Sequence, residues 1–283
     1  MKYKALKQHF SQSLASLYDE QESSGLFFIV LQNVEASSRM QFLEKQQLEV
    51  QEPTAAAILS MLEELKTGKP IQYILQEAWF YKMKFRVNPA VLIPRDETEE
   101  LVHLIISREQ QAMKNPGQAL LDIGTGSGCI AISLKKNLPA VEVSAMDISE
   151  PALSVARLNA EDHGVTIQFL QADALNYTSS KMYDVIVSNP PYVKDDERAA
   201  MHANVLDHEP HTALFVRDHD PLIFYRAIAT FAMTNLKKGG RLYFEINEYL
   251  GAEMIDLVTK VGFSEVELHR DLQGKDRMLS SML

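Results

Sequence analysis

The sequence predicts an α/β domain on a mostly parallel sheet, with a hairpin at one sheet edge and a small helical domain in front of it. Up to about Lys66, apolar residues recur at helical spacing. Beyond Asn88-Pro89 the chain turns to strand, helix, strand, helix order, the pattern of parallel strands joined by helical crossovers. It closes on two strand-like runs flanking Asp271-Leu272-Gln273-Gly274, a turn suited to a hairpin. The organisation expected is a helical domain over 1–66, a strand or hairpin linker over 67–93 and the α/β domain over 94–283.

In the first segment Leu14, Leu17 and Tyr18, then Leu26, Ile29 and Val30, then Ile58, Met61, Leu62 and Leu65 mark the inward faces of helices. Gly25, Ser37-Ser38 and Pro53 fall where caps and stops belong, and Thr67-Gly68-Lys69-Pro70 ends the last helix. Between Ile71 and Val87, Trp79, Tyr81, Met83 and Phe85 alternate as one face of a strand or hairpin. Helices are then expected over 97–108, 127–136, 151–163, 221–236 and 250–261. Strands are expected over 119–123, 141–147, 166–170, 183–188 and 241–246, with 264–269 and 278–283 as the terminal hairpin.

At 283 residues, 46% hydrophobic and 23% charged, the chain is long and apolar enough for a sizeable core. Acidic residues outnumber basic ones 38 to 28, a formal charge of -10, the wrong sign for gripping a nucleic-acid backbone. A lone cysteine, Cys129, cannot close an intrachain disulfide, and Met1 to Phe10 carries three lysines without the apolar core of a leader. The longest apolar run, Leu26 to Leu31, falls far short of the roughly 20 residues of a spanning helix. A cytoplasmic protein with no membrane role is expected.

Chemistry concentrates at expected strand ends. Leu121-Asp122-Ile123-Gly124-Thr125-Gly126-Ser127-Gly128 stands at a strand-to-helix turn, where glycines let backbone amides approach a ligand that a Cβ would exclude. Alone, such a run can serve NAD, a nucleoside ligand or a tight turn. Asp122 brings a carboxylate to the turn, which suits a cationic ligand and not a pyrophosphate, and so favours S-adenosylmethionine over NAD. At the end of the second strand, Asp147 can accept both hydroxyls of a ribose; the alternative, a helix N-cap ahead of Pro151, can be filled by Ser149 or Glu150. Asp173, in Gln171-Ala172-Asp173-Ala174 after the third strand, can accept from an adenine amino group or serve as a plain turn aspartate.

Asn189-Pro190-Pro191-Tyr192 follows the apolar strand Val185-Ile186-Val187, at the carboxyl edge where ligands gather. Consecutive prolines restrict φ, so the Asn189 side chain and the neighbouring carbonyl can form a fixed fork. Two oxygens accepting both N–H bonds of a planar NH₂ aim its nitrogen at an electrophilic methyl. Tyr192 can stack on that planar group. The competing reading is a rigid polar turn with a packed tyrosine.

Other candidates carry less. Pro210 spoils a helical ligand pair in His208-Glu209-Pro210-His211, and no cysteine supports it, so no metal is assigned and the histidines are read as solvated loop residues. Cys129 is read as a small buried packing residue, not a nucleophile. Asp195-Asp196-Glu197 reads as a solvated face or flexible loop beside the fork.

Taken in order, Pro70-Ile71-Gln72-Tyr73-Ile74, Val91-Leu92-Ile93-Pro94-Arg95-Asp96-Glu97-Thr98-Glu99, the glycine turn, the Asn-Pro-Pro-Tyr fork and Asp271-Leu272-Gln273-Gly274-Lys275-Asp276-Arg277 resemble the HemK/PrmC-type protein-glutamine methyltransferases. The resemblance runs from about Pro70 to the end, and the N-terminal segment matches only in character. Relatives often carry proline where Asp96 stands and glycine where Gln76 and Lys82 stand, and a glycine-rich turn where Phe215 to Pro221 intervene.

The resemblance implies a Rossmann-like class I S-adenosylmethionine-dependent methyltransferase fold and methyl transfer to the side-chain amide of the glutamine in the Gly-Gly-Gln loop of class I peptide chain release factors. By position, Asp122, Gly124, Thr125, Gly126, Ser127 and Gly128 would hold the cofactor, Asp147 its ribose, Asp173 and Ala174 its adenine. Asn189, a neighbour of the cofactor as well, and Pro190 would be catalytic and hold the target amide, and Pro191 and Tyr192 would complete that pocket. The helical segment would recognise the substrate. Two rivals remain at this level: an adenine or cytosine amino-methyltransferase, whose base would fit the same fork but which should carry a basic stripe or added recognition domain where the N-terminal segment is helical and net acidic, and a non-catalytic translation-factor binding module on the same scaffold.

Overall fold

The structure, a computed structural model, describes residues 1–283, except that the side chains at 195, 199, 200 and 203 lie outside the described residues. It comprises two compact units, Met1–Gln76 with His202–His208, and Glu77–Met201 with Glu209–Leu283.

The first unit contains α1 (Tyr3–Leu14), α2 (Glu20–Glu35), α3 (Arg39–Lys45), α4 (Glu52–Leu65) and α5 (Ile71–Leu75). Asp19 caps α2, Ser38 and Gln41 form a reciprocal capping box on α3, and Pro53 occupies the first turn of α4. Their core centres on Leu6, Phe10, Phe27, Val30, Ile58 and Leu62. Gly25 is not a break but lies inside α2, where burial of Leu26, Phe27, Val30 and Leu31 outweighs a helix penalty of about 1 kcal/mol. Leu17 and Ile29, expected inward, are exposed: Leu17 lies beyond the end of α1, and Ile29 is off the stripe that Leu26, Phe27, Val30 and Leu31 define.

The second unit opens with a hairpin, β1 (Glu77–Phe80) and β2 (Met83–Arg86). Phe80 pairs with Met83 across Tyr81-Lys82, both with positive φ (48° and 63°), as a tight primed hairpin turn requires. The face expected from Trp79, Tyr81, Met83 and Phe85 is therefore not formed. The chain reverses between Phe80 and Met83, so that Ala78, Phe80 and Phe85 are buried and Trp79 is exposed. Gln76 (φ 58°) and Lys82 are left-handed, which is where a glycine carries no Cβ penalty.

Next come α6 (Asp96–Glu109), β3 (Ala119–Ile123), α7 (Cys129–Asn137), β4 (Glu142–Asp147), α8 (Glu150–Asp162), β5 (Gln168–Gln171), β6 (Tyr183–Ser188) and β7 (Val193–Lys194). A 3₁₀ turn (Asp195–Ala200), α9 (Ala203–His208), α10 (His211–Leu214) and β8 (Phe215–Val216) follow. The chain ends with α11 (Ile223–Asn235), β9 (Leu236–Glu245), α12 (Gly251–Val261), β10 (Ser264–Arg270) and β11 (Asp276–Met282). The main sheet has the order β10-β11-β9-β6-β3-β4-β5. β5, β4, β3, β6 and β9 are parallel, while β11 runs antiparallel to β9 and β10 antiparallel to β11. This is the mostly parallel sheet with an edge hairpin that the sequence predicts.

Every residue of β3 is buried, as befits a central strand covered on both faces. Leu120 and Val143 meet Leu101, Ile105 and Ile130 on one face, and Leu121 and Ile186 meet Ile228, Ala232 and Met254 on the other. From β3 the chain winds through β4 and β5 to one side and returns as β6 on the other. The carboxyl ends of β3 and β6 therefore flank a topological switch point, where crevices form in such sheets. β9 starts earlier than expected because a register shift against β6, between Tyr183 and Val185, absorbs Lys237 to Gly240. The short elements over 193–216 have no periodic signature. Within them Glu197 is tied to the Lys194 N–H and Asn247, whereas Asp196 is exposed; the Asp195 side chain lies outside the described residues.

Candidate active site

A cleft of about 420 Å³ opens at the carboxyl ends of β3, β4 and β6, within the size range of small-molecule sites. Of the residues singled out from sequence, Gly124, Thr125, Gly126, Ser127, Asp147, Asp173, Ala174, Asn189, Pro190 and Pro191 line it; Asp122, Gly128 and Tyr192 do not.

The glycine turn uses most of its amides internally. Gly124 and Thr125 N–H donate to the Met146 carbonyl at 2.8 and 2.9 Å, Gly126 N–H to Asp147 Oδ2 at 2.8 Å, and Gly128 N–H to the Thr125 carbonyl at 2.8 Å. A turn with four of its amides so engaged is poorly suited to cradling a phosphate. What the glycines supply is space and backbone shape: Gly124 and Gly126 have φ of 75° and 55°. A Cβ on Gly124 would stand 3.8 Å from the Asn189 carbonyl, whereas one on Gly126 would meet open space. Gly128 serves packing, because a Cβ there would approach Ala156 and Ile132 at 3.1 Å.

Asp122, expected to face the ligand, instead lies beneath the turn and is wholly buried. The Thr125 hydroxyl donates to its Oδ2 at 2.6 Å, while Oδ1 finds no hydrogen-bond partner among the described residues, and burial pushes the carboxyl up to about 7. The buried Ser127 Oγ is likewise unpartnered among the described residues. At the end of β4 the Asp147 carboxylate accepts Gly126 and Ser149 N–H at 2.8 and 2.9 Å. Burial raises its pKa against the pull of those two amides. Ser149, not Asp147, caps α8 through Ala152 N–H. Asp173 forms an Asx turn, its Oδ1 accepting Leu175 N–H at 2.9 Å and its Oδ2 the Asn176 amide at 2.8 Å.

Asn189 stands just past the end of β6. Its Nδ2 donates to Thr98 Oγ1 at 3.2 Å, and among the described residues nothing donates to its Oδ1. The Thr98 hydroxyl donates to Glu245 Oε2 at 2.6 Å, and the Tyr192 hydroxyl donates to Glu245 Oε1 at 3.2 Å. Tyr192, expected to stack in the pocket, is thus tethered behind it. Burial and the Glu245 charge hold its phenol well above the ordinary range. Glu245 is buried, which raises its pKa, while the Thr98 hydroxyl, the Arg277 charge and the Tyr192 hydroxyl pull it down. Arg277 is held by Asp271 Oδ2 at 3.2 Å, and Asp271 Oδ1 accepts Gln273 and Lys275 N–H, closing the β10–β11 turn.

A second tie builds the opposite wall. Arg95 pairs with Glu209 at 2.6 Å, and Glu209 Oε2 accepts Ile93 N–H at 3.1 Å, fastening the 90–98 segment to the strip 210–215, both of which line the cleft. Glu209 is therefore a buried structural residue between half-buried His208 and exposed His211. Among the described residues no group of three or more His, Cys, Asp or Glu is arranged to hold a metal. Cys129 borders the cleft, but burial pushes its thiol up to about 12, so it stays neutral.

Sequence reasoning missed Thr98, Glu245, Arg95 and Glu209 as site residues. One signal was available: Glu245 is a lone carboxylate ending the apolar run Leu242-Tyr243-Phe244, where an unpaired charge would be prohibitively placed.

Comparison with known proteins agrees with this architecture. The family model described as "Methyltransferase small domain" matches residues 97–214. Two solved structures share the fold. A methyltransferase from Pyrococcus furiosus has a TM-score of 0.51 at 17% identity, covering 79% of this chain and 98% of its own. The 16S rRNA N2 G1207 methyltransferase of Thermus thermophilus, solved with AdoMet and guanosine, has a TM-score of 0.52 at 19% identity, covering 73% and 49%. The release factor glutamine methyltransferase of Flavobacterium psychrophilum is 44% identical over 99% of this chain and 98% of its own. That of Bacteroides thetaiotaomicron is 42% identical over 96% and 97%. Identity of this depth, sustained along nearly the whole of both chains and laid over a methyltransferase sheet with a cleft at its switch point, means that the chain belongs to the release factor glutamine methyltransferase family.

Proposed function

We infer that the protein methylates the side-chain amide nitrogen of a glutamine in a peptide chain release factor, with S-adenosylmethionine as methyl donor. The glutamine is that of the Gly-Gly-Gln loop. The observation that carries this reading is Asn189: a carboxamide at the mouth of the cleft whose amino group is engaged by Thr98 and whose oxygen is left for a donor.

The residues present fit the cofactor. The cleft has the volume for a nucleoside, and its glycine turn leaves open space at Gly126 while most of its amides are already bonded within the protein. Unpartnered Ser127 Oγ borders the cleft, and unpartnered Asp122 Oδ1 lies below it. Gly124 to Ser127 would hold the cofactor's amino-acid end, Asp147 its ribose, Asp173 and Ala174 its adenine. When bound, the group supplies an electrophilic methyl on a sulfonium. The chain's part is placement. Asn189 Oδ1 and the Pro190 carbonyl accept the two N–H bonds of the substrate carboxamide and hold its nitrogen toward the cleft. Positioning of this kind contributes up to roughly 7–11 kcal/mol of barrier reduction. No strong base is needed, because an amide nitrogen becomes acidic only as it gains the methyl, and the nearby thiol is neutral.

The recognition surface is proposed to include the helical segment 1–66. A release-factor substrate places the reaction in the cytoplasm, and among the described residues no helix is long and apolar enough to cross a membrane. Incubation with a purified release factor and S-adenosylmethionine, followed by peptide mass spectrometry, should find one methyl group on the Gly-Gly-Gln glutamine. Labelled methyl appearing in DNA and not in the release factor would overturn the assignment.

A further inference from the structure

Asn189 can serve as an acceptor for a substrate amide only if its oxygen, and not its amino group, faces the cleft. A planar carboxamide has nearly the same shape after a half-turn, so shape alone does not choose. The choice is made by what lies on its other side. Thr98 Oγ1 sits 3.2 Å from Asn189 Nδ2 and 2.6 Å from Glu245 Oε2. A hydroxyl has one proton to give. The carboxylate of Glu245 takes it, so Thr98 presents only lone pairs to Asn189, and only an N–H can face them favourably. Turned over, Asn189 would set oxygen against oxygen at Thr98 and N–H against N–H at the substrate.

We propose that Thr98 and Glu245 are positioning residues that fix the orientation of the Asn189 carboxamide, Glu245 acting through Thr98 by claiming its proton. The surroundings hold the relay in place. Glu245 is almost wholly buried at the end of β9, its other oxygen accepts the Tyr192 hydroxyl at 3.2 Å, and its backbone carbonyl accepts the Tyr225 hydroxyl at 3.1 Å. Arg277, locked by Asp271, supplies a positive charge that favours the carboxylate form of Glu245 against the burial that raises its pKa. Thr98 itself is buried in the first turn of α6, so neither partner can swing away. Such a chain is strong because every member is satisfied, and it fails in orientation when one proton or lone pair is removed.

The inference rests on the glutamine-methylation reading, and the experiment separates the two. Full-length wild type, Thr98→Val and Thr98→Ser are assayed with release factor and S-adenosylmethionine for kcat and KM, with cofactor affinity by calorimetry and thermal melting alongside. Absence of methyl transfer by wild type overturns the functional reading. Given wild-type turnover, Thr98→Val, which keeps shape and removes the hydroxyl, should lower kcat by about 100-fold, the scale of misplacing a reacting group. KM and cofactor affinity should stay within about threefold, a flipped amide being a fault of orientation and not of site integrity. Thr98→Ser, which restores the hydroxyl, should recover most of the lost kcat. Should Thr98→Val not fold, Thr98→Ala carries the same comparison. A hydroxyl-free variant with kcat near wild type overturns the proposal, as does a loss confined to KM or cofactor affinity, or Thr98→Ser as impaired as Thr98→Val.

Discussion

Asn189 and Asp122 show how differently two polar side chains at neighbouring strand ends can be used. Asn189 is half-buried, its amino group engaged by Thr98 and its oxygen without a donor among the described residues, which suits the role proposed for it. Asn189→Ala should leave the fold intact and reduce methyl transfer by about 100-fold or more, as removal of a single positioned hydrogen-bonding group does elsewhere. A purified-enzyme assay that finds unchanged turnover would remove Asn189 from the mechanism. Asp122 is buried with one oxygen unpartnered, and its pKa rises from 3.8 to about 7. A carboxyl that is harder to ionise folded than unfolded contributes stability below pH ~4, and this is lost as pH rises toward ~7. Wild-type stability relative to Asp122→Asn should therefore fall across that interval by roughly 4 kcal/mol, at about 1.4 kcal/mol per pH unit. Denaturant unfolding at a series of pH values measures it, and a flat difference would show that the carboxyl titrates normally.

Elements meet at this site with little slack. α7 crosses α8 where Gly128, at φ 82°, leaves 3.1 Å between a hypothetical Cβ and both Ala156 and Ile132. Gly128→Ala should cost about 2 kcal/mol, combining a left-handed backbone with overpacking. A urea midpoint equal to wild type would mean that the helices part freely. The loop before α6 and the strip around α10 are joined by Arg95 and Glu209. Arg95→Ala leaves a Glu209 side chain that is 1% exposed with the Ile93 N–H as its remaining partner among the described residues. Partial exposure of Arg95 moderates the loss, which should be about 2 kcal/mol, with weaker cofactor binding by calorimetry as that wall loosens. Unaltered stability and affinity would show that the wall stands without the ion pair.

At the scale of the whole molecule, the net charge of -10 bears on the choice of acceptor. Duplex DNA in low salt should show no mobility shift at micromolar protein, because the net negative charge opposes the phosphates. Salt-sensitive binding would reopen the nucleic-acid rival. The fold class was legible because a fully buried parallel strand such as Leu120 to Ile123 and an amphipathic crossover such as α8 have distinct periodicities, and because burial enforces them. The same rule failed for Trp79 and Ile29, where a chain reversal or a helical stripe only slightly displaced decided which side faced inward. The glycine turn and the Asn-Pro-Pro-Tyr segment were visible as local chemistry, since a positive φ and a restricted φ are properties of residues themselves. What sequence alone determined is thus the α/β architecture and the placing of the glycine turn and of Asn189 at the carboxyl edge of the sheet. What only the tertiary structure decided is that Asp122 and Tyr192 stand behind the cleft, and that Thr98, Glu245, Arg95 and Glu209 build it. Those pairings join residues between 114 and 147 positions apart, and a hydrogen bond of that span leaves no trace in local periodicity.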